Sequence, residues 1–589
     1  MDLKKIMTKL CLYHLVFFLA GFALIRSETE HYDVLIKNTK IIDGTGKPAY
    51  KGSIAVKGEK IVAVGKVKGD AAIVLDGTGL VTCPGFIDPH SHADTTIMDY
   101  PLAENLIMQG ITTFVGGNCA MSLAPTKDMT FGEWLSNVEK EGISLNYVPL
   151  VGHNPIRTIV MGQDYRRKAT PAEIKEMQKY MEEAMKSGAF GFSTFGDPAP
   201  SHFADLDEIV DLAEVVTKYG GIYAPHTRHI QSQWPTEDPE EVSYGVYYGP
   251  PEDVWVGTYR GYVDAIEVCR RAKIPLQIAH ISSAFILPQP HPEFLEDAAA
   301  RATLWLIDKA REEGLDVTFD SIPSADSIST AQPLLGAFYS WRNTSLEWVQ
   351  KIEKKEFIDR LKTKEFRARL RRIYDRGRMK FEMVHTKADP YWFNCFKILS
   401  CKNKSFEGKT LGEIAEMKKA DPLETIFDIL VEDSETTWVQ FLDRRGTIPM
   451  NDVFIKHPMG MPCTDVSALS AKVEDSEETP APIAYGLYPH YIGRDIREKR
   501  IQSLEEAIRK ATSFPAQTYS IIDRGVLKPG AYADILIFNF ETIMDNGDFL
   551  NPTRPPEGIE YVLVNGKIAY KDMAHTGERA GKVLRKAID

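Results

Sequence analysis

The chain has 589 residues, 43% hydrophobic and 26% charged, with 70 basic against 82 acidic side chains and a net charge of -12. Three or four domains fit this length at roughly 150 residues each, although a single α/β barrel takes up about 250 or more, and a small disulfide-stapled fold is excluded. The acidic balance, read with no clustered Lys/Arg stripe, speaks against nucleic acid or anionic lipid as partner and favours a small molecule.

Lys4, Lys5 and Lys9 precede an apolar run from Leu10 to Ile25, and Arg26-Ser27-Glu28 follows. That is the order of an export signal over residues 1–27, so the expected location is periplasmic or secreted. The run is short for a membrane span, which needs about 20 residues; an uncleaved interfacial anchor is the alternative. Without the signal, Cys83, Cys119, Cys269, Cys395, Cys401 and Cys463 remain. An even number permits disulfides in an oxidising compartment and requires none.

Short strand-like pieces follow at Val34-Leu35-Ile36, Ser53 to Val56 and Ile61 to Val64, separated by turns such as Asp43-Gly44-Thr45-Gly46. A matching set returns at Ala533 to Phe538 and Tyr561 to Gly566. The two ends are expected to meet in one β-sandwich, residues 28–83 with 511–589, leaving 84–510 as a separate body. In that body helix and strand alternate. Thr170-Pro171-Ala172-Glu173 is a capping box with proline at the first helical position, and Ile174, Met177, Met181 and Met185 follow at helical spacing up to Gly188. Strands are expected at Ala189 to Phe195, Gly221 to Ala224, Pro275 to His280 and Asp316 to Asp320, with helices opened by Asp205 and lying near 263–271 and 304–313. Repeated β-α units imply a parallel sheet, and an open doubly wound sheet and a closed barrel both satisfy the pattern.

The strand ends carry the chemistry. The run Leu80 to Asp88 leads into His90-Ser91-His92, where alternate residues of an extended chain project to one side and both imidazoles can reach one cation. Ile111 to Val115 ends at Gly116-Gly117-Asn118-Cys119, and two later strands end at His226 and His280. In an α/β barrel such ends converge over one cavity. A thiolate and four imidazoles gathered there suit zinc. Val453 to Lys456 reads as a further strand before Asp465, a carboxylate placed to take a proton from attacking water and pass it to a leaving nitrogen; Asp also favours helix caps and turns. Residues 333–420 fit no β-α unit and, with Trp341, Trp348, Tyr391, Trp392 and Phe393, are expected to form a lid-like insertion, its aromatics either contacting substrate or packing the inserted piece.

Pro84-Gly85-Phe86-Ile87-Asp88-Pro89-His90-Ser91-His92 resembles the opening of the amidohydrolase superfamily, and Gly116-Gly117-Asn118-Cys119 is similar to its N-acyl-D-amino-acid deacylase branch. So are Gly152-His153-Asn154-Pro155-Ile156-Arg157, Gly188 to Thr194, Thr512 to Ala516, Asp523-Arg524-Gly525 and Ala533-Asp534. The resemblance implies a (β/α)8 barrel flanked by a β-sandwich from both chain ends. It implies a tighter zinc held by Cys119, His226 and His280, and a second, weaker position outlined by His90, His92 and Asp465 that Cys119 would bridge. Asp465 would be general base and then acid, and Cys119, standing where many relatives carry a modified lysine, would stay out of any disulfide. The implied reaction is hydrolysis of a linear amide of a small molecule; a cyclic-amide or other C–N hydrolase, or a ligand-binding barrel without turnover, are the alternatives. Two cations of the branch are replaced, by Ser282 two residues after His280 and by Ile483 before Ala484-Tyr485-Gly486, while Arg228 keeps a place from which it would clamp a carboxylate. The turn after Cys119 also departs, with Ala120-Met121-Ser122 where the branch leads one to expect glycine first.

Overall fold

A computed structural model describes residues 30–587 apart from 197–199, 228–250, 286–290, 293, 324–330, 341–343, 382–383, 387–389, 441–447 and 473–479. The export signal, Trp341 and Arg228 lie outside the described residues. Among the described residues no helix is long and apolar enough to cross a membrane, and all six cysteines are free thiols.

Eight parallel strands form the central sheet: β1 (Phe86–Asp88), β2 (Ile111–Gly116), β3 (Asn146–Gly152), β4 (Gly191–Phe195), β5 (Ile222–His226), β6 (Leu276–Ile278), β7 (Val317–Ser321) and β8 (Gly460–Pro462). Each pairs with its neighbour in chain order. Just beyond β1 and β8 the ring is drawn together, because Asp465 N–H donates to His90 O and His92 N–H to Val466 O, both at 2.9 Å. The sheet is thus a nearly closed (β/α)8 barrel. Its strands are buried along almost their whole length, as parallel strands covered by helices must be. The capping box at Thr170 forms as read, starting the helix Pro171–Lys186, and Asp205 caps Leu206–Thr217.

One expected strand is a helix. Val453 to Lys456 belongs to the helix Ile448–Lys456, and the eighth strand is the short piece Gly460–Pro462. Four apolar residues carry no period that separates strand from helix. Tertiary contacts decide: Phe454 and Ile455 are buried, and the enclosed Lys510 Nζ donates to Ile455 O and His457 O at the end of the helix.

Both chain ends build one nine-stranded mixed sheet, in which Val81–Pro84 lies between His31–Ile41 and Ile535–Phe538. Val34, Ile36, Ile54, Val56, Ile535, Ile537 and Leu563 make its own core. The strand Val81–Pro84 runs on into β1 through Gly85, where a Cβ would lie 2.2 Å from the Thr112 side chain, so only glycine lets the chain cross from sheet to barrel. The joint is also polar. Asp534 is ion-paired with Arg524 and accepts from Asn565 N–H (2.8 Å) and Asn146 Nδ2 (3.3 Å), while Asn565 Nδ2 donates to Asn146 Oδ1 (2.8 Å). All four residues are buried. Asp534→Ala strands a buried guanidinium, and an unfolding titration is expected to show a loss of about 3 kcal/mol; a change under about 1 kcal/mol would mean that the joint does not depend on this network.

Between β7 and β8 an inserted body forms around a separate core of Phe338, Phe357, Leu370, Trp392, Phe396 and Trp438. Gln332–Pro333, Phe396–Ser400 and Thr437–Gln440 make its small sheet, flanked by helices that include Lys364–Asp375 and Pro422–Glu432. Trp392 is fully buried there and Trp348 and Phe393 pack against this core, whereas Tyr391 is exposed. The helix Lys364–Asp375 is an arginine cluster that the sequence reading passed over. Its charge is met locally: Arg367 pairs with Glu424 and Asp428, Arg371 with Asp421 and Glu424, and Arg369 lies 3.6 Å from the Trp348 ring centroid.

Candidate metal centre

At the carboxyl ends of the barrel strands six side chains converge. Cys119 Sγ lies 3.4 Å from His90 Nε2, 3.6 Å from His226 Nδ1 and 3.7 Å from His280 Nε2. Asp465 Oδ1 lies 3.2 Å from His90 Nε2 and 3.1 Å from His92 Nε2. Three overlapping sets, His90/His92/Cys119, Cys119/His226/His280 and His90/His280/Asp465, each bring their donor atoms within 4.8 Å of one another. Thus β1 delivers His90 and His92, β2 delivers Cys119, β5 and β6 deliver His226 and His280, and the segment after β8 delivers Asp465. Of the metal-ligating, catalytic and substrate-binding residues expected from the sequence, only Arg228 lies outside the described residues.

The backbone bends sharply to present these groups. Cys119, His280 and Asp465 have φ of 49°, 30° and 59°. Left-handed conformations of non-glycine residues cost on the order of 1–3 kcal/mol each and cluster where function fixes a side chain. Asp465 is held by its N–H bond to His90 O. His280 is held by Asp320, whose Oδ1 accepts from His280 N–H at 2.6 Å while Oδ2 accepts from Gln277 Nε2 at 2.8 Å. Asp320 Oδ1 also lies 3.7 Å from His90 Nδ1. The sequence reading counted Asp320 only as the last residue of a strand. A carboxylate at the carboxyl end of a barrel strand was itself the signal that could have found it.

The electrostatics are those of opposed charges in a closed space. Burial alone would raise the Cys119 thiol, but the His90 and His226 imidazoles pull it well below its ordinary value. Burial likewise opposes ionisation of Asp465, and His90 and His92 overturn this, holding the carboxyl well below the usual range. In return His92, though disfavoured as a cation by burial, is pushed up to about 10 by contact with Asp465 and Cys119. Such a set fits a cation. An ion bonded at about 2.3 Å to sulfur and about 2.0–2.1 Å to nitrogen in a tetrahedron sets those ligands about 3.6 Å apart, matching the sulfur–nitrogen separations found here. The buried Nδ1 atoms of His90 and His92 are also left without hydrogen bonds.

Asp88 sits beneath the centre, accepting from Thr464 N–H (3.1 Å) and His90 N–H (3.4 Å). Burial outweighs these bonds and raises its carboxyl from 3.8 to about 7. A folded-state value above the unfolded one means that its contribution to stability is complete below about pH 4 and is lost as pH rises through about 7. Asp88 is therefore expected to make the metal-free protein lose stability from about pH 4 to 7, and Asp88→Asn to flatten that slope in denaturant titrations at several pH values.

Residues 74–570 match the amidohydrolase family model. The chain is 26% identical to the D-aminoacylase of Alcaligenes xylosoxydans xylosoxydans over 95% of its length and 99% of that protein's. To the N-acyl-D-aspartate deacylase of the same organism it is 27% identical, over 94% and 95%. Its fold superposes on the crystal structure of the Bordetella bronchiseptica N-acyl-D-glutamate deacylase, complexed with zinc and a phosphonate inhibitor, with a TM-score of 0.67 at 24% identity, covering 94% of this chain and all of that one. The chain belongs to the amidohydrolase family. It is a metal-dependent hydrolase of carbon–nitrogen bonds, and its relatives above are N-acyl-D-amino-acid deacylases.

Proposed function

We propose that this enzyme hydrolyses a linear amide of a small molecule in the manner of an N-acyl-D-amino-acid deacylase, with zinc as its metal and an altered preference for the amine portion. The observation that carries this reading is the convergence of Cys119, His226 and His280 on one point with Asp465 beside it. Cys119, His226 and His280 would hold one ion, and His90, His92 and Asp465, with the Cys119 sulfur shared, would outline a second position. A bound zinc supplies Lewis acidity, polarising the scissile carbonyl and acidifying water.

The chain's own residues supply the rest. Asp465, kept ionised by His90 and His92, accepts a proton from the attacking water at its carboxylate. It then delivers that proton to the departing amine nitrogen, which cannot leave as an anion. Asp320 fixes the backbone of His280 and faces the back of the His90 ring, the kind of outer partner that orients a ligand.

The altered preference rests on Ser282 and Ile483. Ser282 is held through its backbone, its N–H donating to Tyr262 Oη (3.1 Å) and its carbonyl accepting from the same hydroxyl (2.8 Å), and its own buried hydroxyl has no partner. Ile483 is buried in the main hydrophobic core. Neither supplies the positive charge that a substrate carboxylate would need in a desolvated pocket, where losing one ionic partner costs about 2–5 kcal/mol. A screen of N-acyl-D-amino acids against uncharged linear amides and cyclic amides at controlled zinc tests the reading. Uncharged linear amides are expected to turn over best; rapid turnover of ordinary N-acyl-D-amino acids would refute the altered preference, and turnover of cyclic amides alone would refute the linear-amide assignment.

A further inference from the structure

We propose that Ser193 is a positioning residue of this centre: its buried hydroxyl locks the left-handed turn that aims the Cys119 sulfur. The inference rests on the metal-binding reading above. Ser193 lies on β4 and is fully buried. Its hydroxyl makes two hydrogen bonds, both to the turn that follows β2: it donates to Gly117 O and accepts from Ala120 N–H, the latter at 2.8 Å. The two bonds bracket Cys119.

The turn needs such a clamp. Cys119 and Ala120 are consecutive non-glycine residues with φ of 49° and 57°, a conformation that L-residues leave unless their surroundings hold it. On the far side there is no slack. A Cβ on Gly117 would lie 1.9 Å from Leu150 O, and one on Gly152 would lie 2.5 Å from the Ala120 carbonyl carbon, so the turn is pressed backbone to backbone against β3. Its entry is fixed as well, because Asn118 Nδ2 donates to Val115 O (2.9 Å) and Ser91 O (3.4 Å). Without the Ser193 hydroxyl, the Ala120 N–H becomes a buried donor with no acceptor, and the way for it to regain one is to rotate Ala120 and Cys119 out of the left-handed region. That rotation carries the sulfur away from His226 and His280.

The test uses the purified full chain as the parent, Ser193→Ala and Ser193→Ala/Ala120→Gly. Each is stripped and reloaded with Zn2+ or Co2+, and thermal unfolding, metal affinity by chelator competition and the sulfur-to-cobalt charge-transfer absorption are read. Ser193→Ala is expected to fold, to bind metal about 10-fold or more weakly, and to lose charge-transfer intensity. Adding Ala120→Gly is expected to recover most of that affinity, because glycine enters the left-handed region without steric cost. Unchanged affinity in Ser193→Ala overturns the assignment, and so does a loss that Ala120→Gly leaves untouched, which is what general packing damage would produce. A parent that binds neither ion overturns the metal reading as well, whereas a metal-binding parent with an indifferent Ser193→Ala overturns this inference alone. Should Ser193→Ala not fold, Ser193→Thr, which keeps the hydroxyl, is expected to bind within about threefold of the parent, and a 10-fold loss there also overturns the assignment.

Discussion

Cys119→Ala is expected to leave the enzyme without stoichiometric metal and to lower kcat/KM about 10⁴-fold, roughly 5.5 kcal/mol of transition-state stabilisation. The size follows from where the sulfur sits. It is the nearest common neighbour of His90, His226 and His280, at 3.4, 3.6 and 3.7 Å, and it belongs to two of the three candidate sets. Removing it dismantles both positions at once, whereas loss of His92 would touch one. It also removes a negative charge that favours the protonated His90 and His92 rings, so these two lose a partner as well as the ion. Elemental analysis and kinetics on the same preparation check the expectation. Full metal occupancy in the variant would mean that the imidazoles and Asp465 suffice, and the assignment of Cys119 as a ligand would fall.

Asp465→Asn separates holding the ion from moving the proton. The variant is expected to retain metal and to lose about 10²–10⁴-fold in kcat, the range that a positioned proton-transfer group supplies. Asparagine suits the site sterically, since it matches aspartate in shape and tolerates the left-handed backbone at φ 59°, and the N–H bond to His90 O stays available. An amide cannot accept the proton, however. The acid limb of the pH–rate profile should vanish with the carboxylate. Retained activity would move the base elsewhere; loss of the metal together with the activity would make Asp465 chiefly a ligand.

The barrel was legible because its strands are short apolar runs that end in groups with unmistakable chemistry. His90, His92, Cys119, His226, His280 and Asp465 are scattered over some 375 positions, yet each follows a strand, and the rule that parallel strand ends share one face brings them together. What stayed hidden depends on tertiary contact. Val453 to Lys456, the end of the helix Ile448–Lys456, reads as a strand in sequence because the enclosed Lys510 that caps it is distant along the chain. Asp320 and Ser193 act through bonds to backbone atoms of other strands, and no spacing rule reports a partner of that kind. The left-handed turn at Cys119-Ala120 has no glycine at those two positions to announce it.

The inserted body between β7 and β8 surrounds its own core and meets the arginines of one helix with carboxylates of another. Its stability therefore rests largely on its own packing, and replacements confined to that core are expected to act first on the inserted body itself. In descendants of this chain, that stretch is where evolutionary drift should run fastest and where an unrelated module of similar span would be most readily grafted.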